Sequence, residues 1–181
     1  HYGLEVKLYA INSRAVAIAR EVAGAGAYVA ASIGPTGRFV EPVGDCSFDE
    51  MRAIFREQAL PLIGAGADII TLETFLDIKE IRAAVIAIRE ISPAIPVVAM
   101  LTFDDNGRSV LGTSPEAAAI TLEAVGANIV GSNCGLGVEG IYEILSTMRR
   151  VTRLPLISQA NAGLQIGRHT SELQSHLNLV C

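Results

Sequence analysis

Five short apolar runs, spaced along the chain like the strands of successive βαβ units, constrain this fold more than any other feature. They cover residues 28–33, 69–73, 97–102, 129–132 and 156–158. None of these runs alternates apolar with polar residues, so each predicts a strand that is buried on both faces. That pattern is typical of a parallel sheet covered by helices.

Amphipathic helices are predicted between these runs, because apolar residues there recur at steps of three and four. The first apolar stripe comprises Leu8, Ile11, Ala15, Ile18 and Val22. Similar stripes lie within residues 51–62, 78–88 and 138–148. The start signals agree, since Ser47 and Asp77 stand at N-cap positions and Pro115 stands at a first helical position.

A weak internal repeat supports this order of elements. Gly26, Gly66 and Gly126 are each followed by alanine, and each stands where a left-handed glycine would end a helix before a strand. The resulting order of five helices and five strands fits an open, doubly wound sheet. It also fits part of a (β/α)₈ barrel. Periodicity alone leaves both architectures open.

Composition excludes several classes of protein. The 181 residues carry a formal charge of −5, so there is no basic excess to neutralise nucleic-acid phosphates. Half of the residues are hydrophobic, which argues against disorder, and no apolar run reaches the roughly 18 residues of a membrane span. Three widely spaced cysteines do not make a disulfide framework. We therefore expect a cytoplasmic protein that binds neither nucleic acid nor membrane.

Candidate functional residues are sought at the carboxyl ends of the predicted strands, because both architectures place their active sites there. Cys134 ends the fourth strand and precedes a predicted helix, whose N-terminal dipole favours a thiolate. Glu73 ends an apolar strand, so its carboxylate is expected to bind a substrate ammonium, act as a base or pair with a cation. Asn161 follows the last strand and would bind substrate or hold a loop. A purely structural role stays open for each of the three.

Three further patterns carry little weight. Residues 135–140 match G-x-G-x-x-G, but the following strand does not end in the acidic residue that a dinucleotide site requires. His169 and His176 lie in a polar segment and are too far apart to bind one metal from a single helical turn. Cys46 lies in a predicted loop and is assigned no function.

Five segments at the strand ends resemble one protein family when taken together in chain order. They cover residues 32–37, 66–75, 102–113, 131–137 and 161–163. They resemble the zinc-dependent homocysteine S-methyltransferases, and within that family the homocysteine-binding domain of cobalamin-dependent methionine synthase. The resemblance covers residues 1–164 and implies a (β/α)₈ TIM barrel, incomplete at both ends, whose five parallel strands correspond to family strands 3 to 7. Residues 165–181 are expected to form a divergent polar tail.

The resemblance also implies roles for three residues. Cys134 matches the first of three cysteines that bind zinc, Glu73 matches a carboxylate that binds the amino-acid end of homocysteine, and Asn161 matches a nearby polar contact. No residue is assigned a catalytic role. Zinc would deprotonate the homocysteine thiol, and the sulfur would attack a methyl donor, expected to be methylcobalamin.

The match to the family's zinc ligands is incomplete. Two of the three expected ligands, an adjacent cysteine pair, have no counterpart in this chain. A catalytic zinc takes about three protein ligands, so we expect weak zinc binding and an inactive fragment. Cobalamin and methyltetrahydrofolate would be bound by other modules of a longer chain.

Two other functions stay open on the sequence. The chain would be a non-catalytic barrel fragment if its strand ends no longer bind a metal or a substrate. It would be a metal-free TIM-barrel enzyme if Glu73 acts as a general base.

Overall fold

A computed structural model describes residues 3–162, and every structural statement below concerns that part of the chain. The helices are α1 (Leu8–Ala23), α2 (Phe48–Gly64), α3 (Ile78–Ile91), α4 (Pro115–Ala124) and α5 (Val138–Arg149). The strands are β1 (Ala30–Ile33), β2 (Ile69–Phe75), β3 (Val97–Leu101), β4 (Ile129–Asn133) and β5 (Leu156–Gln159). All the predicted strands and helices are therefore present, in the predicted order. The expected polar tail, with His169 and His176, lies outside the described residues.

The strands stand in the sheet in chain order, β1-β2-β3-β4-β5, and every neighbouring pair is parallel. Each helix packs against the next one along the chain, so the helices form a single layer. A doubly wound sheet reverses its strand order at a switch point and carries helices on both faces. The observed order is instead that of a (β/α)₈ barrel, and the prediction of five parallel barrel strands is confirmed.

The helices begin where the capping residues predict. Ser47 Oγ accepts the backbone N–H of Glu50 (3.1 Å) at the start of α2, and Asp77 Oδ1 accepts the N–H of Lys79 (2.8 Å) at the start of α3. Pro115 takes the first position of α4, where its missing N–H removes no helical bond. Within residues 3–162 no helix combines the length and the hydropathy needed to cross a bilayer.

The two faces of the sheet differ in burial. In β2, Ile70 and Leu72 are fully buried in the core beneath the helices, whereas Thr71 and Glu73 on the opposite face are half-buried. β3, at the centre, is buried on both faces, but β1 alternates in the same way as β2, and β5 is largely exposed. The prediction that every strand is buried on both faces is therefore right only in the middle of the sheet. The described elements cover the central strand and leave the concave face open toward the edges.

The predicted core-facing stripe of α1 is wrong. Val16 is the fully buried residue of this helix, while Ile18 is 48% exposed and Val22 is 86% exposed. The reason is that α1 lies at the end of the helix layer and packs against α2 on one side. Apolar periodicity locates the helix, but the neighbouring elements decide which of its faces is covered.

The glycines of the internal repeat end two of the helices as predicted. Gly66 and Gly126 have φ angles of 91° and 99°, in the left-handed region. Gly26 was predicted to do the same after α1, but that helix ends earlier and Gly24, with a φ of 55°, takes the left-handed conformation there.

Beyond the glycines, the repeat includes a side-chain clamp at the amino ends of the strands. Asp68 Oδ2 accepts a backbone N–H at the start of β1 (2.6 Å) and pairs with Arg20. Asn128 Oδ1 accepts a backbone N–H at the start of β3 (2.8 Å) and an N–H of Arg89 (2.5 Å). The backbone hydrogen bond, together with Arg20, holds the pKa of Asp68 below its usual value. The same device thus joins the sheet to its helices at two places.

Candidate functional site

The parallel register brings the candidate residues to one edge of the sheet. Glu73 lies near the end of β2, Cys134 directly follows β4, and Asn161 follows β5. All three are half-buried. The carboxyl ends of parallel strands are the edge at which barrel enzymes place their active sites. We call this edge the mouth.

The sulfur of Cys134 lies among polar groups. Asn133 Nδ2 donates a hydrogen bond to Cys134 Sγ (3.3 Å), and Thr74 Oγ1 lies 3.8 Å from the same sulfur. The backbone N–H of Cys134 donates to the carbonyl of Gln159 in β5 (3.1 Å). α5 begins at Val138, so the predicted position of Cys134 ahead of a helix N-terminus is confirmed.

Thr74 is a residue that the sequence interpretation missed. Its φ of 66° is left-handed, which is rare for a β-branched residue, and Cys134 has a φ of 58°. The β2–β3 register shifts between Leu72 and Phe75, so Thr74 stands at an irregularity that turns its side chain toward β4. Residues in this conformation cost about 1–3 kcal/mol each and cluster at functional sites.

Asn133 joins the ends of β2 and β4 and was also missed. Its Oδ1 accepts the N–H of Thr74 (2.8 Å), and its Nδ2 donates to Thr74 Oγ1 (2.8 Å) as well as to Cys134 Sγ. The backbone carbonyl of Asn133 accepts a hydrogen bond from the hydroxyl of Thr102 at the end of β3 (2.9 Å). The ends of β2, β3 and β4 therefore meet at one buried residue. The available signal was an amide next to a cysteine at a strand end.

Glu73 and Asn161 are less constrained than Cys134. A carboxylate oxygen of Glu73 accepts the hydroxyl of Ser32 on β1, on the concave face of the sheet. Asn161 donates its backbone N–H to the carbonyl of Leu136 (3.1 Å). Thr74 connects the predicted pair, because it is the chain neighbour of Glu73 and a side-chain contact of Cys134.

A cavity of about 310 Å³ opens at the mouth between the loops that follow β2, β3 and β4. Gly135, the neighbour of Cys134, lines it together with Thr102 and Arg108. Gly135 has a φ of 69°, and an added Cβ would lie 2.6 Å from the carbonyl oxygen of Phe103. Only glycine lets the β4 loop pass so close to the end of β3.

Backbone hydrogen bonds shape the loop that forms one wall of this cavity. Asp104 Oδ1 accepts the backbone N–H groups of Arg108 and Asn106, both at 3.0 Å. These bonds, the one from Arg108 foremost, lower the pKa of Asp104 below its usual value. Asp104 is thereby a loop-forming residue, although it stands at a strand end.

A buried carboxylate fixes the loop that follows β1. Glu80 Oε1 accepts both the backbone N–H and the hydroxyl of Thr36, each at 2.7 Å. Asp77 accepts the N–H of Val40 in the same loop (3.4 Å). Burial raises the pKa of Glu80, and the nearby carboxylate of Asp77 adds to this effect.

The described residues do not by themselves compose a zinc site. Within residues 3–162 no group of three histidine, cysteine or acidic side chains is close enough to bind one metal ion. Among residues 3–162, Cys134 is the one cysteine that is partly exposed at the mouth, since Cys46 is fully buried in the loop that follows β1 and burial raises its pKa. A catalytic zinc needs about three protein ligands, so the donor set here is short of that number.

Comparison with known proteins identifies relatives of this chain. A family model described as homocysteine S-methyltransferase matches residues 1–178. Methionine synthase from Mycobacterium tuberculosis is 31% identical over 175 residues, which cover 91% of this chain. The chain spans only 15% of the length of that relative.

Solved structures agree with this similarity. The apo form of the homocysteine methyltransferase MmuM from Escherichia coli matches with a TM-score of 0.77 at 25% identity, over 90% of this chain and 64% of that one. The metallated form of the same protein matches with a TM-score of 0.71 at 25% identity, over 86% of this chain and 59% of that one. Both comparisons extend over nearly all of the described fold.

Proposed function

The chain belongs to the homocysteine S-methyltransferase family, and we propose that its mouth forms the homocysteine-binding side of a methyl-transfer site. One observation carries this proposal: the ends of β2 and β4 are joined through Thr74, Asn133 and Cys134, with two of these residues in left-handed conformations. Because such conformations are costly, their coincidence beside a half-buried thiol favours a functional over a merely structural cysteine.

Glu73 is proposed to bind the ammonium group of homocysteine. Its carboxylate is half-buried on the concave face and accepts the hydroxyl of Ser32, so it is oriented before a ligand arrives. A charge-assisted hydrogen bond between carboxylate and ammonium is about twice as strong as a neutral one. Asn161, at the end of β5, is proposed as a second polar contact.

Cys134 is proposed as one thiolate ligand of the zinc ion that the family uses. Bound zinc would supply Lewis acidity, which deprotonates a coordinated thiol outright. The described residues offer one such ligand and therefore bind the ion weakly. What the chain itself contributes is orientation, because the mouth fixes the Cys134 sulfur between Thr74 and Asn133.

The methyl donor is proposed to be methylcobalamin, supplied together with folate by other modules of a longer polypeptide. The much greater length of the matched methionine synthase supports this division of labour. The cytoplasmic location expected from the cysteine content remains a prediction.

The binding proposal is tested by titrating L-homocysteine into the purified full chain and into two variants, with heat as the readout. Glu73→Gln should weaken binding by roughly tenfold or more, the loss expected when a charged hydrogen-bond partner is removed. Glu57→Gln, which changes an exposed carboxylate on α2, is the matched control and should bind like the parent chain. Equal affinity of the parent and Glu73→Gln, or no binding by the parent, would overturn the proposal.

Zinc content provides a separate test of the ligand count. After dialysis against zinc-free buffer, the full chain should retain well under one zinc per polypeptide, and Cys134→Ser should retain less. One tightly held zinc per chain would contradict weak binding, and zinc retention that is unchanged in Cys134→Ser would exclude Cys134 as a ligand.

A further inference from the structure

We infer that Asn133 is a positioning residue for the sulfur of Cys134, with Thr74 as its partner across the mouth. The inference rests on the proposed function, in which that sulfur acts at the mouth. It goes further by assigning a role to two residues that do not themselves bind metal or substrate.

The chemistry of the neighbours dictates how the Asn133 amide is turned. The backbone N–H of Thr74 can only donate, so the carbonyl oxygen of the amide must face it, as observed at 2.8 Å. The NH₂ group then faces the Thr74 hydroxyl at 2.8 Å and the Cys134 sulfur at 3.3 Å. All three contacts are satisfied in one orientation of the amide, and the sulfur receives a donor of fixed direction.

The burial of Asn133 argues against an incidental polar residue. Asn133 is 2% exposed, and a buried amide is costly unless its groups are hydrogen-bonded. An apolar side chain of similar size would fill the same space without that requirement, but it would give neither Thr74 nor Cys134 a partner. The amide is therefore placed for its directional bonds.

The backbone around Asn133 leads to the same conclusion. Thr74 and Cys134 have φ angles of 66° and 58°, and Asn133 bonds to both of them. Strained conformations persist only when surrounding contacts over-determine them. A bond from the Thr102 hydroxyl to the backbone carbonyl of Asn133 (2.9 Å) ties the main chain at this position to the end of β3 as well. Asn133 is thus the common partner that holds both turns and directs the sulfur.

The test measures the alkylation of Cys134 by iodoacetamide in the full chain, quantified by peptide mass spectrometry. The thiolate sulfur forms a bond to the methylene carbon and displaces iodide. Rates are taken along a pH series up to their plateau, where protonation no longer differs between variants. The plateau rate then reports how firmly the sulfur is held and how accessible it is.

Asn133→Ala should raise the plateau rate roughly fivefold, the factor expected when one net hydrogen bond to the sulfur is lost. Thr74→Val keeps the shape of threonine but removes the hydroxyl that accepts a hydrogen bond from Asn133 Nδ2 and helps to hold that group beside the sulfur, so it should also raise the rate. Thr74→Ser keeps the hydroxyl and should react like the parent chain. Plateau rates within about twofold of the parent in both Asn133→Ala and Thr74→Val, a slower reaction, or no difference between Thr74→Val and Thr74→Ser, would overturn the inference.

Cys46 provides the internal control for folding, because it is fully buried. It should stay unreactive in every variant. If Asn133→Ala exposes Cys46, that variant has lost its fold, and the milder Thr74→Val and Thr74→Ser pair decides the question. The readout uses no homocysteine, so failure of this inference and failure of the proposed function are distinguished by comparing it with the binding titration.

Discussion

The two ends of the sheet are built on different principles. At the amino ends of the strands, arginines in the last turns of alternate helices bind the carbonyl groups of the connections. Arg89 donates to the carbonyls of Gly126 and Ile95 and to the side chain of Asn128. Arg149 donates to two carbonyls of the connection that follows α5. At the mouth, by contrast, two residues hold left-handed conformations around a half-buried thiol. The first end is arranged for stability, and the second accepts backbone strain in return for orientation.

Two carboxylates near opposite ends of the sheet, Asp68 and Glu80, have pKa values that are shifted in opposite directions. The pKa of Asp68, at the amino ends, is lowered by a backbone hydrogen bond and by Arg20, so its charged form is stabilised by folding. The pKa of Glu80, beside the mouth, is raised by burial, so its charged form is destabilised by folding. The comparison teaches that the immediate surroundings of an acidic side chain, hydrogen bonds and a cation for Asp68 but burial for Glu80, decide whether its charged form supports the fold.

The largest effect is expected from Arg89→Ala, which removes the main side-chain anchor at the amino ends of the strands. The change leaves the carbonyls of Gly126 and Ile95 without this partner and should lower the free energy of unfolding by about 3 kcal/mol. Arg89→Lys should recover only part of the loss, because an ammonium cannot reproduce the planar fork of a guanidinium. The measurement is urea unfolding followed by circular dichroism. Arg14→Ala, which removes an exposed pair with Glu21, is the control and should have little effect.

A smaller effect, of opposite sign, is expected near the mouth from Ser132→Ala. The Ser132 hydroxyl is fully buried and has no hydrogen-bond partner among the described residues. Its removal should raise the free energy of unfolding by about 1 kcal/mol. Ser109→Ala is the matched control, since Ser109 is equally buried but accepts the N–H of Thr113 (3.1 Å), and its loss should destabilise the chain. Destabilisation by Ser132→Ala would indicate an unrecognised partner for that hydroxyl.

The smallest effects are pH-dependent changes in the free energy of unfolding, and they have opposite signs for Asp68 and Glu80. Asp68, with its lowered pKa, contributes stability that is present above its ordinary value of 3.8 and is lost as the pH falls through the lowered pKa. Glu80, with its raised pKa, contributes stability that is present below its ordinary value of 4.5 and is lost as the pH rises through the raised pKa. The free energy of unfolding, measured with urea from about pH 3 to 7, should therefore fall less steeply toward low pH in Asp68→Asn and less steeply toward high pH in Glu80→Gln than in the parent chain. Each variant serves as the control for the other, and a pH profile unchanged in both would contradict the assignment.

The elements of the fold were predictable because their signals are local. An apolar run such as residues 97–102 and a cap such as Ser47 act within a few neighbouring residues, and both predictions are confirmed. The order of the strands was not predictable from periodicity, since a parallel strand has the same pattern in a barrel and in a doubly wound sheet. The exposure of Val22 on α1 was not predictable from periodicity either, because the covered face of a helix depends on its neighbours.

The candidate site was predicted in part. Cys134 and Glu73 were found because the carboxyl ends of parallel strands converge, and the structure brings both residues to the mouth. Thr74 and Asn133 were missed, because their importance lies in a left-handed φ and in bonds between residues about 60 positions apart. No pattern within a single segment encodes such contacts.

The amino-acid sequence by itself determined the alternation of helices and strands, the ends of most helices and the residue types available at each strand end. These follow from hydrophobic periodicity and capping, which are properties of short stretches of chain. Tertiary structure alone decided which helix faces are covered and that Thr74, Asn133 and Cys134 form one hydrogen-bonded group. The physical reason is that burial and hydrogen-bond direction depend on neighbours that are distant in the chain, and these neighbours are fixed only when the whole sheet has formed.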